Sequence, residues 1–229
     1  MKQFLKKFKI LRFIKEKLRL TKRRILLTKL KVEGLLFDAK HGVITEQKIP
    51  LDQVSGISQE ENNTLLGHDP SSVSCLRKIF SVIDFNPSDY HFIDIGSGLG
   101  RTVFIASEFG FKKITGIEFC EEFYKKGKEN LNRSSSKGPI ELVKADALLY
   151  DYPDEAMVLF LYNPFHKEAM TALIKNIEAS LRKSPRPFRM IYLNPRFHDL
   201  ITEAEFASDF KSFEGFQGYT NFIIYRNNL

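Results

Sequence analysis

A doubly wound α/β sheet is the fold this sequence predicts, and three observations carry the expectation. From residue 90 onward, short apolar runs alternate with amphipathic stretches, as parallel strands do when helices cover both faces of their sheet. The first run, His91–Ile95, ends in the glycine turn Gly96-Ser97-Gly98-Leu99-Gly100. The last two, Phe210–Phe216 and Thr220–Arg226, read as a closing hairpin around Gly215 and Gly218.

The elements follow in order. Residues 1–31 contain no Gly or Pro, and Phe4, Phe8, Leu11, Ile14 and Leu18 recur at steps of three or four, which predicts a basic amphipathic helix. Residues 34–70 read as irregular, punctuated by Gly34, Gly42, Pro50, Gly56, Gly67 and Pro70. Within them, Phe37–Val43 is too polar for a core strand. Asp69-Pro70-Ser71-Ser72 opens a helix through Ile83, with Val73, Leu76, Ile79 and Phe80 as its buried face. After the first strand come a helix over Arg101–Phe109, a strand over Lys113–Glu118, a helix over Glu121–Leu131 and a strand over Ile140–Val143. A strand over Met157–Tyr162, a helix over His166–Leu181 and a strand over Phe188–Leu193 continue the alternation, and Glu203–Phe206 reads as helical. The expected organisation is an arm at 1–31, a lead-in segment at 32–89 and a ligand-binding domain at 90–229.

Composition narrows the function. The chain has 229 residues, 43% hydrophobic and 28% charged, enough for one large globular domain with an extension and unlike a disordered chain. Two cysteines, Cys75 and Cys120, exclude a disulfide scaffold and lack zinc-site spacing; both read as buried thiols in a reducing, cytoplasmic setting. No run reaches the roughly 20 apolar residues of a membrane span, and a cleavable secretory signal is not expected. The charge is segregated. Residues 1–31 hold 13 Lys and Arg against one acid, Glu16, a net of +12, and the remainder nets −5. A mildly acidic body argues against a broad nucleic-acid surface on it. The arm suits anionic lipid or RNA, and peripheral contact with the inner face of a membrane is the expectation, against packing on its own body or a second subunit.

The glycine turn carries the chemistry. Glycines there let a ligand approach the backbone at a helix start. The dinucleotide fingerprint needs a glycine where Arg101 stands, and a phosphate loop needs Gly-Lys-Ser/Thr. Asp94, two residues before the first glycine, is unsuited to a pyrophosphate and suited to an ammonium. Glu118 ends the next strand, where an acid binds ribose hydroxyls. Asp146 follows the third strand and can accept from an adenine amine. An ammonium, a ribose and an adenine describe S-adenosylmethionine better than any phosphate-bearing cofactor.

On these residues the chain resembles the class I S-adenosylmethionine-dependent methyltransferases over about residues 70–229. The resemblance implies a mostly parallel seven-stranded sheet with an antiparallel last strand and a transferase activity. It also implies a cofactor-binding set of Asp94, Gly96, Ser97, Gly98, Gly100, Glu118, Phe119, Asp146 and Ala147. Upstream, Phe37-Asp38, His41-Gly42-Val43, Thr45, Pro50-Leu51 and Gly67 with Asp69-Pro70-Ser71 are similar to a bacterial subgroup of unassigned substrate that shares a Tyr-Asn-Pro-Phe turn.

That turn is Tyr162-Asn163-Pro164-Phe165, after the fourth strand. It resembles the Asn-Pro-Pro-Phe/Tyr turn of amino-methylating enzymes with one Pro missing, which makes Asn163, Pro164 and Phe165 the catalytic expectation. A planar nitrogen would donate to the Asn163 side-chain oxygen and the Pro164 carbonyl, with Phe165 stacked on a flat acceptor, and catalysis would be positioning without a metal. The expected reaction is N-methylation of an amine on a protein or small molecule. O-methylation of a saccharide or lipid intermediate, with Asp38, His41 or His166 as base, and a non-catalytic cofactor-binding module are the alternatives. Asn194-Pro195 echoes the turn and is a candidate for the acceptor pocket.

Overall fold

The computed structural model describes residues 2–54, 67–136, 138–216 and 220–229; Gly56 and Gly218 lie outside them. The strands are β1 (His91–Ile95), β2 (Lys113–Glu118), β3 (Ile140–Lys144), β4 (Met157–Leu161), β5 (Phe188–Leu193), β6 (Asp209–Phe216) and β7 (Thr220–Arg226). They form one sheet in the order β3-β2-β1-β4-β5-β7-β6. The first five are parallel; β7 runs antiparallel beside β5, and β6 pairs antiparallel with β7. A short hairpin connection forces that reversal, because parallel neighbours need a crossover.

The helices are α1 (Lys2–His41), α2 (Val73–Ser81), α3 (Arg101–Ala106), α4 (Glu121–Arg133), α5 (Lys167–Lys183) and α6 (His198–Thr202). Alternation along each strand splits the core in two. Phe92, Phe160 and Ile191 face α2 and α3, where Phe80 and Phe111 pack on Phe92. Ile93, Leu159 and Met190 face α5 through Met170, Leu173 and Ile177. Strands buried on both faces read as continuous apolar runs for this reason.

The register positions the site. Ile95 pairs with Ile117 and with Leu161, and Ile117 pairs with Val143. The residues that leave these four strands therefore emerge side by side on one edge. The strand order reverses between β1 and β4, which opens a crevice at that edge.

Three local expectations are corrected. Residues 34–41 are helical, not irregular: α1 runs through Gly34 and Phe37 to His41 and stops at Gly42, whose φ of 71° forms a left-handed cap with Val43 N–H donating to the Asp38 carbonyl. Gly34 is not a breaker. A Cβ there would lie 1.8 Å from Glu46 Oε2, so the position admits a close approach and not a bend. Residues 203–206 are not a helix; the helical turn lies just before them, at His198–Thr202. Four residues are too few to nucleate on propensity alone, and Phe206 is held by its ring against Phe188 instead. The helix after the glycine turn ends at Ala106, with a 3-10 turn over Ser107–Phe109.

Candidate functional site

A cleft of about 1090 Å³, counting the solvent at its mouth, opens at the carboxyl edge of β1, β2 and β4. Asp94, Gly96, Ser97, Gly98, Glu118, Phe119, Asp146, Ala147, Asn163, Pro164 and Phe165 all line it. Of the residues singled out for cofactor binding, Gly100 alone is not on the wall. Its φ of 95° starts α3, and its N–H donates to the Ser97 carbonyl, so it shapes the turn from behind.

Asp94 sits at the floor, 2% exposed. Its Oδ2 has no hydrogen-bond partner in the protein. Burial, then the nearby Glu118 carboxylate, pushes its pKa up to about 8, against a hydrogen bond from Thr102 that pulls it down. An unpartnered buried carboxyl oxygen facing a cleft fits an incoming ammonium, which would supply the missing donor and favour the ionised form. The Ser97 hydroxyl is also buried without a partner beside it.

Glu118 does more than end β2. Its Oε2 accepts from Gly98 N–H and its Oε1 from Cys120 N–H, each at 2.8 Å. The carboxylate thus pins the glycine turn to β2. Asp146 Oδ1 accepts from Leu148 N–H at 2.8 Å, which folds the loop after β3 back over the cleft.

The segment before the domain forms the remaining wall; the sequence offered Asp38 and His41 from it as candidate bases, but the residues of it that line the cleft are others. His68, Asp69, Pro70 and Ser71 line the cleft. The His68 ring stands where a Gly98 side chain would be, since a Cβ at Gly98 would come within 2.3 Å of its Nδ1. Burial, and then the Arg101 charge, lowers the His68 pKa to about 4, so the ring is neutral and weakly basic. Arg101 explains how the wall is held. It is buried, its Nε donates to Thr45 Oγ1 at 2.8 Å, and its Nη1 donates to the Ser71 carbonyl at 3.2 Å and lies 2.6 Å from Glu46 Oε2. Asp38 completes the knot by accepting from Thr45 and Glu46 N–H. The sequence signal for Arg101 was only negative, the residue that spoils a dinucleotide fingerprint.

Asn163 reaches the cleft wall in a left-handed conformation, φ 45°, and its side chain turns toward the next loop. Its Oδ1 accepts from the Tyr192 hydroxyl and its Nδ2 donates to the Asn194 carbonyl, both at 2.8 Å. Asn194, also left-handed at φ 52°, is therefore the anchor of the first turn, and neither it nor Pro195 lines the cleft. Phe165 is buried in the α5-side core and still borders the cleft. The three candidate bases lie elsewhere. Asp38 belongs to the Arg101 knot, His41 stacks on Phe37, and His166 is the exposed residue that precedes α5. Cys75 and Cys120 are buried, as expected.

Residues 93–184 match a family described as a methyltransferase domain. Among solved structures, a possible methylase of Clostridium difficile superposes with a TM-score of 0.54 at 15% identity, covering 70% of this chain and 54% of its own. A predicted adenine-specific DNA methylase of Listeria monocytogenes gives 0.53 at 14%, covering 70% and 52%. A ribosomal-protein methylase of Lactobacillus delbrueckii gives 0.50 at 18%, covering 70% and 81%. At such identities the likeness is one of fold, and the chain spans about half the length of the first two. No curated protein matches the sequence. The glycine turn, Glu118, Asp146 and the Asn-Pro turn all fall inside the stretch that is similar to a methyltransferase domain.

Proposed function

We propose that the chain is a methyltransferase that transfers the methyl group of S-adenosylmethionine to a nitrogen of a protein or small-molecule acceptor. The observation that carries the cofactor side is Asp94, whose unpartnered Oδ2 lies buried at the cleft floor beneath a glycine turn. Bound there, the cofactor supplies an electrophilic methyl on a sulfonium.

The chain's own residues then divide the work. Asp94 and Ser97 offer buried polar atoms to the ammonium end, and Glu118 and Asp146 offer carboxylate oxygens to the ribose and adenine ends. On the acceptor side stand Tyr162, Asn163, Pro164 and Phe165. The second lone-pair site of Asn163 Oδ1 and the Pro164 carbonyl are acceptors for N–H groups, and the Tyr192 and Asn194 bonds fix the Asn163 side chain in advance. A nitrogen acceptor is favoured over a hydroxyl by the state of His68. It is the one histidine on the described cleft wall, and a ring that protonates near pH 4 is a poor base for removing a hydroxyl proton.

Incubation of the protein with methyl-labelled S-adenosylmethionine and fractionated cell extract tests this. Label in acid-stable methylamine groups is expected, and Asn163→Ala should lower the transfer rate far more than cofactor affinity. Label confined to methyl ethers or esters would overturn the nitrogen assignment, and unchanged turnover in the variant would reduce Asn163 to a turn residue.

A further inference from the structure

We propose that α1 is a surface-docking helix that lies on an anionic lipid membrane through the face carrying Ile14, Leu18, Ile25 and Val32. Among the residues of the helix whose side chains are described, 12–41, the buried ones are Gly34, Phe37, Asp38 and His41, all in its last two turns. At 3.6 residues per turn, Ile14, Leu18, Ile25 and Val32 fall within about 40° of one another and roughly opposite that buried face. All four are about half exposed or more, at 47%, 56%, 65% and 49%. The chain's own body therefore leaves this strip uncovered along some five turns. The side chains of Phe4, Phe8 and Leu11 lie outside the described residues, and nothing here depends on them.

Charge identifies the occupant. Lys15, Lys22 and Lys29 follow one edge of the strip at seven-residue steps, and Lys17, Arg24 and Lys31 follow the other, all exposed. A second copy is disfavoured, because the two cationic rows of one helix would face those of its partner in either orientation. A nucleic acid gains from the cations and nothing from an apolar strip. Counting Thr21, Thr28 and Leu35, the uncharged strip is about 100° wide, broader than the two-position seam of a helix pair. A plane of anionic headgroups over acyl chains satisfies the strip and both rows together. The helix lies on the surface rather than through it: no helix among the described residues is long and apolar enough to cross a membrane.

This inference does not rest on the methyltransferase reading. Its test is co-sedimentation of the full chain with vesicles of phosphatidylglycerol and phosphatidylcholine, against vesicles of phosphatidylcholine alone. Binding to the anionic vesicles only, weakened by added salt, is expected. Leu18→Gln with Ile25→Gln keeps the charge and helix propensity and should lower partitioning about tenfold or more. Leu20→Gln with Leu27→Gln, exposed apolar residues on a different face, should leave it within twofold. Circular dichroism of each variant establishes that the helix is retained. Failure of the full chain to bind anionic vesicles at low salt would overturn the proposal, as would equal losses from the two pairs. So would preferential binding to polyuridylate, or to an acidic helical peptide, with the vesicles left unbound.

Discussion

Replacing Asp94 with Asn tests how the cleft floor recognises a cation. In the protein without cofactor the carboxyl titrates at about 8, so at pH 7 it is protonated roughly ten to one. The groups that set this are burial, Glu118 at the end of β2 and Thr102 on α3; Arg101 is turned away into its knot with Thr45, Glu46 and Ser71. An ammonium arriving beside Asp94 favours the ionised form, so binding must expel the proton. The apparent affinity is then divided by a factor of about 2 at pH 8, about 11 at pH 7 and about 100 at pH 6, provided the bound carboxylate stays ionised. Between pH 8 and pH 6 the affinity should therefore fall by some tens-fold, or about 2 kcal/mol. S-adenosylhomocysteine is the suitable ligand, since it keeps the ammonium and carries no reactive methyl. Calorimetry at pH 7 in buffers of different ionisation enthalpy should register release of about 0.9 proton by the wild type. Asp94→Asn should release almost none and show a flat affinity from pH 6 to 8. A wild-type affinity independent of pH over that range, or no proton release, would refute the reasoning. The same shift has a consequence for stability. A folded-state pKa raised above the unfolded value makes the carboxyl favour folding when protonated, an effect fully present below about pH 4 and lost as pH rises toward 8. Asp94→Asn should accordingly raise the melting temperature of the cofactor-free protein at pH 8 and leave it unchanged near pH 4.

Two further variants probe the wall built by the lead-in segment. Gly98→Ala places a Cβ against the His68 ring at a φ of 53°, so it should lower the melting temperature and abolish S-adenosylhomocysteine binding. Adding His68→Ala should recover part of the thermal loss, and strictly additive effects in that cycle would mean the two residues do not touch. Arg101→Met leaves Glu46 and Asp38 without their buried cation and should cost about 3 kcal/mol in urea unfolding. It should also speed proteolysis within residues 38–71; a loss below about 1 kcal/mol would show that the knot does not hold the wall.

The alternation of apolar runs settled the fold class before any coordinates, because a strand buried on both faces cannot be written in polar residues. His91–Ile95, Lys113–Glu118 and Phe188–Leu193 were legible to the residue, bounded by glycines, prolines and charges. Asp94, Glu118 and Asp146 could be picked out because each lies at or near the end of a strand, and the parallel register brings those ends to one edge, where all three line the cleft. What remained hidden depended on contacts between residues far apart in the chain. Gly34 looked like a helix breaker until Glu46 was seen packed where its side chain would be. Asn163 looked like a free acceptor until Tyr192 and Asn194 were found holding both ends of its amide. His68 and Arg101 carried no local pattern, since their roles arise only when residues 38–46 and 67–71 pack against the glycine turn and Arg101. Periodicity and offsets report on one element at a time. Burial, pairing and the pKa of a buried carboxyl are set by what the other elements bring to it, and only the tertiary structure supplies that.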